Sequence, residues 1–82
     1  MSSSILEICE RLIEIRNQFE ENEEIVEAMS ARENAESLFI AISMAIAYIE
    51  GAISLNNTGE NHLRTSIQEI EQILKEIEEG DK

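Results

Sequence analysis

Proline is absent from this 82-residue sequence, and glycine occurs only as Gly51, Gly59 and Gly80. Since these two residue types interrupt helices most strongly, little in the sequence stops a helix. The single cysteine, Cys9, cannot form a disulfide within the chain, and the first residues lack the cationic segment of a secretory signal. We therefore expect a soluble, cytoplasmic protein.

Positive charge is also scarce, with six Lys and Arg against eighteen Asp and Glu, for a formal net charge of −12. Nucleic acids and anionic membrane surfaces are bound through clustered cations, so we expect neither as a partner. The longest uncharged segment, residues 37–49, is shorter than the roughly 20 residues that a membrane-spanning helix requires.

Hydrophobic residues make up 43% of the sequence and recur at helical spacing, which argues against disorder. A chain of this length forms one domain, here 1–82, near the lower limit for burying a sufficient core alone. We predict an all-α fold, an antiparallel three-helix bundle with a long central helix that assembles as a homodimer. The predicted helices are 4–20, 23–55 and 60–79.

Capping signals mark the beginnings of the predicted helices. Ser4 and Glu7 match a capping box, and Asn22 is a plausible N-cap within the acidic turn. Ser30 and Glu33 offer a second box, so the central helix begins near residue 22 or near residue 30. A short separate helix over 23–29 is the variant left open.

The end of the central helix is indicated by a turn at residues 56–59. Asn and Gly in this turn tolerate left-handed backbone conformations. Thr58 is the predicted cap of the last helix, and Gly80 is its predicted stop.

Residues 38–49 are apolar at eleven of twelve positions, which on a helix places apolar side chains nearly all the way round. One stripe faces the core. A second stripe on the opposite side, with Ala47 and Gly51 one turn apart, allows close approach of another backbone. We predict a homodimer interface made of Ile40, Met44, Ala47, Tyr48, Gly51 and Leu55.

Residues 17–31 contain five glutamates and no lysine or arginine. Such a surface either keeps the protein soluble or steers it to a basic protein partner, an attraction that weakens as salt rises. The predicted partner-binding acidic surface consists of Glu20, Glu21, Glu23, Glu24 and Glu27.

Glutamates three residues apart, such as Glu33 and Glu36, can hold a metal ion inside helical bundles. With eighteen acidic residues in 82, however, this spacing is expected from composition. The only histidine, His62, does not complete the Glu-x-x-His motif of di-iron bundles. We therefore expect no catalytic residue, no metal site and no cofactor.

These patterns favour a non-enzymatic interaction module, acting as an adaptor, a subunit or a regulator, that self-associates through its central helix. One alternative is an inhibitor that mimics nucleic acid, or an immunity-type protein, bound to a basic protein. A second alternative is a metal-dependent helical hydrolase that uses Glu33, Glu36 and acids from a second protomer.

Overall fold

A computed structural model describes residues 4–80, which form four α-helices and no strand. The helices are α1 (Ile5–Asn17), α2 (Glu23–Ser30), α3 (Ala35–Ile49) and α4 (Asn57–Gly80). The all-α class is thus confirmed. The three-helix bundle is wrong, because the predicted central helix is divided into α2 and α3.

Helix α1 begins at the predicted capping box. The Ser4 hydroxyl accepts a hydrogen bond from the Glu7 amide at 3.2 Å, and the Glu7 carboxylate accepts one from the Ser4 amide at 3.4 Å. The helix ends at Asn17, three residues before the predicted end, and Gln18 is its C-cap.

Helix α2 begins where Asn22 accepts a hydrogen bond from the Glu24 amide at 3.1 Å, as the sequence indicated. It corresponds to the short separate helix that the sequence left open. The capping box predicted for Ser30 does not form, because Ser30 is the last residue of α2. The chain turns after it because α2 buries Ile25 and Met29 against the bundle, and a straight helix would carry them away.

Helix α3 ends at Ile49 and not at the predicted residue 55. Gly51 has a φ of +79°, and the Ala52 amide donates to the Ala47 carbonyl at 2.8 Å, which is the Schellman pattern of helix termination. Helix α4 then begins at Asn57, and its cap is Asn56 in place of the predicted Thr58, since Asn56 Oδ1 accepts from the Gly59 amide at 2.8 Å.

The long helix of the bundle is α4 and not the predicted central helix. Its 24 residues span about 36 Å, close to the 39 Å longest dimension of the molecule. It contacts α1, α2 and α3. Gly80, the predicted stop, is its last helical residue.

Polar contacts show that the segment from α2 into α3 runs antiparallel to α4. Arg32 contacts Glu76, and Asn34 contacts Glu69. His62 then contacts Ser37, so the partner number on α4 falls as the residue number on the other segment rises.

The core between these helices is almost wholly aliphatic. From the apolar run 38–49, only Leu38, Ala41, Ile42 and Ala45 are fully buried. The buried hydrophobic residues among those described are Ile8, Cys9, Leu12, Ile15, Ile25, Met29, Leu38, Ala41, Ile42, Ala45, Leu63, Ile70 and Ile73.

Candidate interaction surfaces

The six residues predicted as a homodimer interface do not share one environment. Ile40 lies on the outer side of α3 and keeps 47% of its surface exposed. Ala47, Tyr48, Met44 and Leu55 are half-buried. Ile40 is therefore the large apolar side chain of this set that is most available to a partner.

Met44 and Leu55 are partly used inside the chain, where they pack around Gly59 at the start of α4. A β-carbon on Gly59 would lie 3.3 Å from Leu55 Cδ2 and 3.5 Å from Met44 Cε. The close approach that the sequence suggested at Ala47 and Gly51 is thus seen at Gly59, within the monomer.

Gly51 is fully explained by its place after α3. Its positive φ is a conformation that other residues adopt only with strain, and its amide donates to the Tyr48 carbonyl at 3.1 Å. The structure contains no partner chain, so the homodimer interface stays a prediction.

Sequence reasoning missed three other exposed side chains. Leu6, Ile49 and Ile53 keep 50%, 42% and 40% of their surface exposed. Ile49 is the last residue of α3 and Ile53 follows it, so the end of the helix leaves both side chains at the surface. Gly51, which ends the helix, was the sequence signal that could have shown that these two residues lie at its end.

Within residues 4–80, four large hydrophobic residues are exposed, and three of them, Ile40, Ile49 and Ile53, fall within residues 37–59. Glu50 is the only charged residue of that segment, in a chain with a net charge of −12. We call residues 37–59 the low-charge segment. Its own residues contribute little to the repulsion of a second acidic chain.

The acidic surface lies around the turn from α1 to α2, where all five predicted glutamates are exposed. Glu23 and Glu24 occupy the first turn of α2, where the helix dipole favours negative charge. Among residues 4–80, none of the five takes part in an ion pair. The surface is strongly negative and open to solvent, while its role in partner binding stays a prediction.

Three of the arginines make contacts within the chain. Arg11 Nε donates to Glu71 Oε1 at 2.6 Å, and Arg32 Nη2 donates to Glu76 Oε1 at 2.8 Å. The hydrogen bond to Glu71 raises the pKa of Arg11. Arg16 lies 5.6 Å from the centre of the Phe19 ring, a cation–π distance. Arg11 and Arg32 thus pair with glutamates of α4 and not with those of the acidic surface.

The residues weighed for chemistry are dispersed. His62 Nε2 lies 3.1 Å from the Ser37 carbonyl oxygen, and since a carbonyl only accepts, Nε2 carries the proton. Cys9 is fully buried, and burial together with Glu10 raises the pKa of its thiol, which keeps it protonated near neutral pH. Glu33 and Glu36 are exposed. In residues 4–80, no three His, Cys, Asp or Glu side chains converge as metal ligands.

None of the described helices has the length and apolar character needed to cross a membrane. No protein-family model, curated protein or solved structure matches the chain.

Proposed function

We propose that the chain is a non-enzymatic protein–protein interaction module that pairs with a second copy of itself through the outer face of α3. The observation that carries the proposal is Ile40, a large aliphatic side chain that is nearly half exposed and lies in the low-charge segment. Burying the exposed half of such a side chain contributes about 1 kcal/mol, half of what complete burial would give.

The charge distribution supports a like-charged partner at this face. Two chains of net charge −12 repel each other over most of their surfaces. At physiological salt this repulsion acts mainly between charges closer than about 8–10 Å. Pairing through residues 37–59 brings together the segments that carry one charged residue each. Ala47, two turns along α3 from Ile40, lets the two helices approach, with Tyr48 and Leu55 at the rim.

The test is the mass in solution, measured by light scattering over a tenfold concentration range for the wild type, Ile40→Glu and Leu6→Glu. Leu6 is the matched control, because it is equally exposed but lies on α1. We expect a dimer for the wild type and Leu6→Glu and a monomer for Ile40→Glu. A monomeric wild type, or an Ile40→Glu variant that stays dimeric, would refute the interface.

A second candidate function follows from the acidic surface. Five exposed glutamates without ion pairs among the described residues suit docking on a basic protein, including one whose cationic groove binds nucleic acid. In that case the chain acts as an adaptor for the basic protein, or as an inhibitor that mimics nucleic acid.

Competition for a cationic probe tests this second function. The chain is titrated against protamine in the presence of labelled double-stranded DNA, at low and at moderate salt. Changing all five surface glutamates to Gln should weaken the competition at least tenfold. A control that changes five other exposed glutamates (Glu10, Glu33, Glu36, Glu78 and Glu79) removes the same charge. Equal losses in both variants would show that net charge alone acts.

A further inference from the structure

The connector between α2 and α3, residues 31–34, turns the chain without any residue that forbids a continuous helix. It contains no glycine, and Ala31 has helical angles of φ −76° and ψ −12°. The Ala31 amide still donates to the Glu27 carbonyl, as it would in a longer helix. Among residues 4–80, only Gly51 has a positive φ. Asn34, now at φ −99° and ψ 28°, would have to rotate by about 35° in φ and about 70° in ψ to reach helical angles as α2 is extended into α3.

The start of α3 is also less well satisfied than the starts of the other helices. Ser4, Asn22 and Asn56 each cap a helix with a side-chain oxygen, whereas Asn34 makes no capping hydrogen bond. Among the described residues, no hydrogen bond at this turn is donated by the amides of Glu36 or Ser37. A continuous helix would supply carbonyl acceptors for both amides.

The bend at residues 31–34 is held by contacts with α4 and with the core. Ile25 and Met29 are buried against the bundle, and Arg32 and Asn34 bind Glu76 and Glu69 of α4. A continuous helix over 23–49 would measure about 40 Å. It would carry α1 and α2 away from α3 and α4 of the same chain, so a lone chain would expose its core.

We propose that two copies of this chain exchange α1 and α2 by straightening residues 31–34, which forms a domain-swapped dimer. In the dimer each chain has one helix over 23–49, and the core and the Arg11–Glu71 contact re-form between α1 of one copy and α4 of the other. Since the swapped dimer keeps these contacts, it is close in free energy to two monomers. This inference does not depend on Ile40 or on the outer face of α3.

Charge reversal at the Arg11–Glu71 pair distinguishes a swapped dimer from a face-to-face one. Arg11→Glu and Glu71→Arg chains are unfolded together in denaturant, refolded at high concentration in low salt, and analysed by native mass spectrometry. Each variant alone brings two like charges together. In a swapped heterodimer, both 11–71 pairs are attractive, so we expect the ratio of heterodimers to homodimers to exceed its random value about tenfold.

The double variant Arg11→Glu/Glu71→Arg supplies the matched control, because it restores attraction within its own chain. Mixed with the wild type, it would bring like charges together in a swapped heterodimer, so heterodimers should fall well below the random proportion. Both preferences should fade in high salt. In a face-to-face dimer the 11–71 pair stays within each chain, and both mixtures would give the random proportion. That result, or only monomers after refolding of the wild type, would overturn the proposal.

A variant in the connector keeps the proposal testable if a reversed charge impairs folding. Glu33→Gly combined with Asn34→Gly disfavours the continuous helix in both chains and should raise the dissociation constant of the swapped dimer about 30-fold. Glu69→Ala is its control, because it removes the Asn34 contact and leaves the connector unchanged. An unchanged dissociation constant for the double-glycine variant would contradict straightening.

Discussion

The two junctions that flank α3 differ in what makes the chain turn. After α3, Gly51 adopts a left-handed conformation, and Asn56 caps the next helix. Before α3, the connector has neither a positive φ nor a side-chain cap, and its direction is imposed by the burial of Ile25 and Met29. The turn after α3 is encoded locally, whereas the turn before α3 depends on tertiary packing. The turn before α3 is therefore easier to open.

The largest effect is expected where buried side chains hold the turn before α3. Met29→Ala removes a fully buried side chain of α2 and should lower the free energy of unfolding by about 2–5 kcal/mol. Denaturant titration measures the change, and Glu27→Ala on the exposed side of the same helix is the control. A loss below about 1 kcal/mol would mean that α2 does not depend on this contact.

At the locally encoded junction, Gly51→Ala should destabilise the protein by about 1–2 kcal/mol, because φ is +79° at that position. Gly80→Ala serves as the control, since a β-carbon there meets no other atom. It should be neutral or slightly stabilising in thermal melts. Equal effects of the two substitutions would show that the left-handed conformation contributes nothing.

The two asparagines that precede α4 and α3 should respond differently to alanine. Asn56→Ala removes a cap and should cost about 1 kcal/mol. Asn34→Ala removes no cap, and the exposed contact to Glu69 that it loses is offset by better helix propensity, so its effect should stay within about 0.5 kcal/mol. Chemical unfolding of both variants measures the two losses in the free energy of unfolding. A larger loss for Asn34→Ala than for Asn56→Ala would contradict this prediction.

The smallest effect is expected at the ion pair between Arg32 and Glu76. Both side chains are partly exposed, so their coupling in a double-mutant cycle with Gln should be below about 1 kcal/mol. It should disappear in 1 M NaCl, where screening is strong. A coupling that persists in high salt would show that charge, as well as packing, fixes the connector.

Much of the fold could be predicted from local signals. The capping box at Ser4, the cap at Asn22 and the all-α class follow from side-chain chemistry and apolar spacing, and the structure confirms them. The break between α2 and α3 was one of two variants left open by the sequence, because Ala31, Arg32 and Glu33 are all compatible with a helix. Only the packing of α2 on α4, a contact distant in sequence, decides it.

The candidate surfaces were predictable to a lesser degree. Ile40 and the five glutamates of the acidic surface are exposed, as an interaction surface requires. Met44 and Leu55 turn partly inward because α4 approaches at Gly59, which no helical periodicity reveals. Whether a second copy or a basic protein binds these surfaces stays a prediction.

Amide hydrogen exchange tests the difference between the two junctions most directly. Ser37 and Gly59 occupy the third position of α3 and α4, and only the Gly59 amide has a capping partner, Asn56. We expect the Ser37 amide to exchange at nearly the rate it would have in an unstructured chain. The Gly59 amide should exchange at least tenfold more slowly than it would in an unstructured chain. Equal protection of the two amides would contradict the account.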